Sequence, residues 1–153
     1  MSNELTLTRD IAAEPTKVWA VLTDVEAAAE ILEDVSAVET LTDGPYRVGT
    51  RWRETRSMLG RESTQEMTVT EVEALGFTRI ESAADDAHYV TTFKLEATHP
   101  GTRLTMTFTG EPAEETGTFK KLAAKVMAPV GNAAARKSME SDLDDIAKAA
   151  EAR

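Results

Sequence analysis

The chain has 153 residues, of which 41% are hydrophobic and 29% charged, so it is sized for one domain, residues 1–153, with a core of its own. A net charge of −10 argues against nucleic acid and against anionic membrane surfaces as partners, and the absence of cysteine excludes disulfides, thiolate chemistry and cysteine metal sites. No apolar run is long enough to span a bilayer, and the opening MSNELTLTRD lacks the basic-then-apolar pattern of a leader, so a cytoplasmic protein without membrane insertion is expected.

Leu5 to Ala13 alternates, with Leu5, Leu7 and Arg9 on one face, and reads as a first strand. Glu14-Pro15 opens a helix at a position where proline is tolerated, and Val18, Trp19 and Leu22 form its apolar face. Thr23-Asp24 ends that helix and caps a second one, VEAAAEIL. Both are short and depend on packing. Asp34 to Leu41 returns to strand with Val35 and Val38 apolar, and Thr42-Asp43-Gly44-Pro45 is a turn. Strands follow at Thr50 to Met58, Ser63 to Val72, Phe77 to Ser82, His88 to Ala97 and Arg103 to Thr109. The turns between them are Leu59-Gly60, Leu75-Gly76, Asp85-Asp86 and Pro100-Gly101. Connections this short imply antiparallel neighbours.

If Leu59 and Gly60 are the two turn residues, Met58 faces Arg61, Arg56 faces Ser63, Glu54 faces Gln65 and Trp52 faces Met67. The opposite face pairs Arg53 with Glu66 and Thr55 with Thr64, which are sensible solvent-side partners. Trp52, Met67 and Val69 therefore point inward, and they take Glu54, Arg56 and Gln65 with them. Buried charges are costly unless paired, and Glu54 and Arg56 are two apart on one strand face, where they can pair. Either they sit hydrated at an open end of the sheet, or they line a cavity and orient a polar group of a mostly apolar ligand. Tyr89, Thr91, Phe93 and Leu95 continue the inner face, as do Leu104, Met106 and Phe108, while the outer face is rich in threonine.

From Thr116 to Ala150 strong helix formers dominate. Phe119, Leu122, Val126 and Val130 form one apolar stripe, and Met139, Leu143, Ile146 and Ala150 form another about half a turn away. Pro129-Val130-Gly131 lies between them, as a kink in one helix or a loop between two. The first half, with Leu122, Val126 and Met127, is expected to face the sheet and floor a cavity. The second is expected to pack Leu143 and Ile146 elsewhere, against the first strand and the helix of Trp19. Asp142, Asp144 and Asp145 read as a solvated face.

The order β, α, α, six β, α resembles the helix-grip fold of the START/Bet v 1-like (SRPBCC) superfamily, and within it the bacterial polyketide cyclase/dehydrase and lipid-transport group. The resemblance is carried by EPTKVWAVLTD (Glu14 to Asp24), VGTRWRETR (Val48 to Arg56), the run Gly60 to Glu73, HYVTTF (His88 to Phe93) and GTRLTMTFTGEP (Gly101 to Pro112). It implies an α+β fold in which a seven-stranded antiparallel sheet curves around a long C-terminal helix, with two short helices between strands 1 and 2 and a cavity between sheet and helix. Members bind lipids, sterols, aromatic polyketides or hormone-like molecules, and some are cyclases or dehydratases.

The first expectation is thus a binding protein for a small hydrophobic molecule, without a cofactor or metal, as a monomer or homodimer. Its ligand-binding candidates are Trp52, Glu54, Arg56, Gln65, Met67, Tyr89, Thr91, Phe93, Met106, Phe108, Leu122, Val126 and Met127. The second is a cyclase or dehydratase in the same cavity, with Glu54, Tyr89 and His88 as acid/base candidates and Arg56 to steady an oxyanion. His88 points outward by alternation if Tyr89 points inward, and His99 belongs to a loop. The third is a co-chaperone-like protein-interaction module, which a filled cavity and an exposed apolar patch would favour.

Overall fold

Alternating side chains on six successive strands demand one sheet with one buried face, and the computed structural model has that sheet. It describes residues 3–58, 61–84, 87–112 and 130–153. The strands are β1 (Asn3–Ile11), β2 (Val35–Thr40), β3 (Arg51–Met58), β4 (Arg61–Glu73), β5 (Phe77–Ala84), β6 (Ala87–Ala97) and β7 (Thr102–Pro112). They lie in the order β1-β7-β6-β5-β4-β3-β2, every neighbour antiparallel. β1 and β2 are therefore the two edges, and the segment between them must cross from one side of the sheet to the other.

That crossing is made by α1 (Pro15–Thr23), a 3₁₀ turn (Val25–Ala27) and the single-turn α2 (Ala28–Ile31). Pro15 starts α1 where its missing N–H costs nothing. Asp24 ends α1, and its Oδ1 accepts the Ala27 N–H at 3.3 Å, so one residue stops one helix and starts the next turn. Val18 and Val21 are buried, with Trp19 and Leu22 half-buried beside them.

The hairpin register agrees with the alternation argument at every pair, from Met58↔Arg61 to Trp52↔Met67. The outer-face ion pairs differ from the expected pairing of Arg53 with Glu66. Arg53 Nη1 reaches Glu39 on β2 at 2.6 Å, and Glu66 pairs with Arg51 instead. The Thr55 and Thr64 hydroxyls meet at 2.8 Å. Two bulges interrupt the ladders, one between Val35 and Ala37 on β2 and one between Val69 and Glu71 on β4.

The C-terminal helix α3 (Val130–Glu151) buries Met139, Leu143, Ile146, Ala147 and Ala150, one stripe at helical spacing. It packs against α1 and β1, as expected for this half. Arg9 of β1 pairs with Asp144, and Glu151 Oε2 accepts the Ala12 N–H at 3.0 Å. The expected first half of the helix, with Leu122, Val126 and Met127 and the Pro129 kink, lies outside the described residues, as does the Asp85-Asp86 turn.

The closed end of the sheet is the tightest part of the core. Val18 and Leu104 are 0% exposed. A Cβ placed on Gly101 would lie 2.0 Å from the Ile11 carbonyl oxygen, so only glycine lets the β6–β7 turn approach the end of β1 this closely. Thr102 Oγ1 then donates to the Ala13 carbonyl at 2.7 Å, fastening the same junction.

Candidate functional site

The inner face of the sheet does not close fully on the helices. A cavity of about 510 Å³ remains between them. The strands β3 to β7 contribute alternate residues: Trp52, Glu54 and Arg56 from β3, Ser63, Gln65 and Met67 from β4, Ile80 and Ser82 from β5. Tyr89, Thr91 and Phe93 of β6 and Met106 and Phe108 of β7 complete the sheet wall. All ten sheet residues expected at the cavity are there. The Tyr89 and Phe108 rings stack at 5.5 Å with 17° between their planes.

The second half of the terminal helix is also part of this wall, which corrects the expectation that it packs only elsewhere. Ala134, Ala135, Ser138, Met139, Asp142 and Ile146 of α3 face the cavity, and the α1–α2 crossing adds Leu22, Val25, Ile31 and Leu32. Helix geometry explains the difference. Ala135, Ser138 and Asp142 form a row beside the buried stripe and run into it at Ile146, and a helix lying across a sheet presents two adjacent rows.

Trp52, Glu54, Arg56, Ser138 and Asp142 of the wall form one connected cluster. Arg56 Nε donates to Glu54 Oε2 at 2.8 Å. Its two terminal nitrogens donate to Asp142 Oδ1 at 3.1 Å and Oδ2 at 2.9 Å, a two-pronged ion pair. One of them also reaches Ser138 Oγ at 3.3 Å. Trp52 Nε1 donates to the other oxygen of Glu54 at 3.2 Å. Beside this cluster, Ser82 Oγ donates to Gln65 Oε1 at 3.1 Å.

Asp142 is the residue that sequence reasoning placed wrongly. It was expected on a solvated face and is 4% exposed, while Asp144 is exposed as expected. A signal was present: Asp142 follows Ser138 by four and precedes Ile146 by four, in a row otherwise made of small or apolar residues. An inward Arg56 also demands more than one carboxylate on its five N–H groups.

Burial pushes the Asp142 carboxyl up to about 6, the nearby Arg56 pulling it back and Glu54 and Asp34 pushing it further up. Burial acts to lower Arg56, but Asp142 and Glu54 outweigh it and hold the guanidinium firmly charged. Two buried carboxylates thus share one cation.

Of the three acid/base candidates, Glu54 and Tyr89 are at the cavity. His88 is not: its Nε2 lies 2.9 Å from Glu81 Oε1 on the outer face, the side that alternation assigned to it.

A family model described as polyketide cyclase/dehydrase and lipid transport matches residues 3–151. Among solved structures, the chain is similar to the ZhuI aromatase/cyclase of Streptomyces sp. R1128, at 17% identity and a TM-score of 0.78, covering 99% of this chain and 94% of that one. A protein of Thermus thermophilus aligns at 20% identity and a TM-score of 0.78, over 98% of both chains. Ara h 8.0201 aligns at 11% identity and a TM-score of 0.75, over 100% of both. At these identities the structural likeness speaks for the fold. No curated protein sequence matches the chain.

Proposed function

The chain belongs to the polyketide cyclase/dehydrase and lipid-transport family, and on that premise we propose that its cavity binds a small hydrophobic ligand. The observation that carries this reading is the cavity itself. About 510 Å³ lies in the range of small-molecule sites, with apolar and aromatic side chains around a few convergent polar groups. A protein-interaction module would have had this space filled. Among the described residues only Val48 and Leu75 are large, apolar and exposed, and they form no argument for a docking face.

The polar cluster favours binding over turnover. Arg56 is held by Asp142, Glu54 and Ser138, and Glu54 is held by Arg56 and Trp52. Groups fixed in this way orient a ligand without rearranging. Mass spectrometry of the intact protein, purified under non-denaturing conditions from its own cells, should show a copurifying apolar molecule. Failure to detect one, together with no binding across a broad apolar library, would remove the reading.

A second reading, cyclase or dehydratase, is favoured by one observation. Asp142, at the cavity wall, has its carboxyl pushed up to about 6 and beside it a fixed guanidinium. Protonated, Asp142 can give its proton to a hydroxyl that leaves as water while Glu54 takes the α-proton of the ketone, so that the acid and the base are both at the cavity wall. The ZhuI neighbour is named as an aromatase/cyclase, which agrees with this class of chemistry. The test is conversion of an aromatic β-hydroxy ketone to its enone plus water, followed by absorbance. A rate no higher than in buffer, or an unchanged rate in Asp142→Asn, would leave binding alone.

A further inference from the structure

Among the described residues, four charged side chains line the cavity: Asp24, Glu54 and Asp142 against Arg56. Asp24 sits at the rim, half-exposed, with Arg153 4.0 Å away. The inner three form the cluster, and ionised they carry one more negative charge than positive. Asp34 adds to the negative field at Asp142.

Direction matters as much as count. The Nε–H of Arg56 points at Glu54, and each terminal nitrogen gives a hydrogen to Asp142. The guanidinium, which in other settings would clamp an incoming carboxylate or phosphate, is already closed on the protein's own acids. Acceptor capacity is more plentiful. Each ionised carboxylate has about four lone-pair sites. Glu54 receives one hydrogen bond from Trp52 and one from Arg56, and Asp142 receives its two from Arg56.

We propose that the cavity selects apolar ligands whose polar end donates hydrogen bonds, a hydroxyl, phenol or ammonium, and rejects those ending in a carboxylate or phosphate. The inference rests on the reading of the cavity as a ligand site and adds the chemical class. The apolar body lies against Met67, Phe93 and the stacked Tyr89–Phe108 pair, and the donor end meets Glu54. An anionic end would bring a further negative charge into a buried site that is acid-rich and, among the described residues, holds no free cation, and specificity of this kind comes from repulsion as much as attraction.

Four probes with one body test it on the full chain: naphthalene, 2-naphthylmethanol, 2-naphthylmethylamine and 2-naphthoate, with calorimetry as the readout. At about pH 8, above the range in which Asp142 takes a proton, the alcohol and the amine should each bind at least about tenfold tighter than the carboxylate. In Glu54→Gln, shown folded by urea unfolding, the preference should shrink to about threefold or less. A carboxylate that binds as tightly as the alcohol overturns the selectivity while naphthalene binding leaves the cavity reading standing. Failure of all four to bind overturns both. A folded Glu54→Gln protein that keeps the whole preference also overturns it, because the acid cluster is then not its cause.

Discussion

Arg56 and Asp142, 86 residues apart in sequence, meet through two parallel hydrogen bonds of 3.1 and 2.9 Å that join β3, next to one edge of the sheet, to the C-terminal helix. Arg56 is partly buried and Asp142 almost wholly so, and Glu54 shares the same cation. Arg56→Met therefore leaves two buried carboxylates without a counter-charge. A loss of ~3–5 kcal/mol is expected at neutral pH. Urea unfolding at neutral pH and again near pH 4 checks it, and the loss should shrink in acid, where Asp142 takes a proton.

The pH dependence of the natural protein has a definite sign. The folded Asp142 carboxyl is pushed up to about 6, above its ordinary value of 3.8. Between these values the folded state holds more protons than the unfolded one, so stability contributed by this group is full below the lower value and is lost as pH rises through the upper. The change amounts to roughly 3 kcal/mol. Asp142→Asn should flatten that fall. An equally steep profile in the variant would assign the dependence to another group.

Much of this region was legible in the sequence and one part was not. Alternation across a two-residue turn determines which side of β3 and β4 each residue occupies, so Trp52, Glu54, Arg56, Gln65 and Met67 could be placed together. The facing helix has no such constraint. Its rotation about its own axis depends on what lies beneath it, and an aspartate on a helix is usually solvated. Asp142 is buried because Arg56 is there to receive it, a fact of tertiary packing. The outer ion pairs escaped for a related reason: Arg53 takes its direct partner on the other neighbouring strand, Glu39 of β2, and Arg51 reaches diagonally to Glu66.

Ala135 faces the cavity from α3 and can be enlarged without disturbing the ion cluster. Ala135→Leu should fill part of the space and weaken binding of an apolar probe at least about tenfold, while stability changes by less than ~1.5 kcal/mol. Parallel probe titration and urea unfolding separate the two effects. Undiminished binding in a folded variant would place the ligand elsewhere.

Tyr46 lies on the loop between β2 and β3, its ring edge-on to Trp19 at 6.3 Å and its hydroxyl 2.6 Å from Thr78 Oγ1. Thr78 is fully buried and gives its only hydroxyl hydrogen to the Glu71 carbonyl at 3.1 Å, so the tyrosine must be the donor. Tyr46→Phe keeps the ring contact and loses that bond, at a cost of about 1 kcal/mol. Burial pushes the Tyr46 phenol up to about 12. An alkaline absorbance titration should show a late-ionising tyrosine that the phenylalanine variant lacks.

Gly101→Ala is expected to be among the most damaging small changes. The added methyl group would meet backbone at the end of β1, which cannot swing aside as a side chain can. A loss of roughly 3 kcal/mol or more is expected, read from thermal or urea unfolding. A shift under about 1 kcal/mol would mean that the β6–β7 turn gives way easily.

The two bulges have a consequence for how one strand serves both a cavity and a core. On β4, Gln65, Met67 and Val69 point inward, and without an interruption Glu71 would be next. The extra residue at Thr70 shifts the phase by one, so that Val72, paired with Thr78, takes the inward place and Glu71 turns out to pair with Arg79. On β2, Ser36 has the same effect between Val35 and Val38. In both strands two valines three apart mark the slip, a spacing that neither a regular strand nor its turn residues would produce. Deleting Thr70 or Ser36 would leave the same valines inward in strict alternation, so what each extra residue adds is a local bend and twist of the strand beside the ligand space.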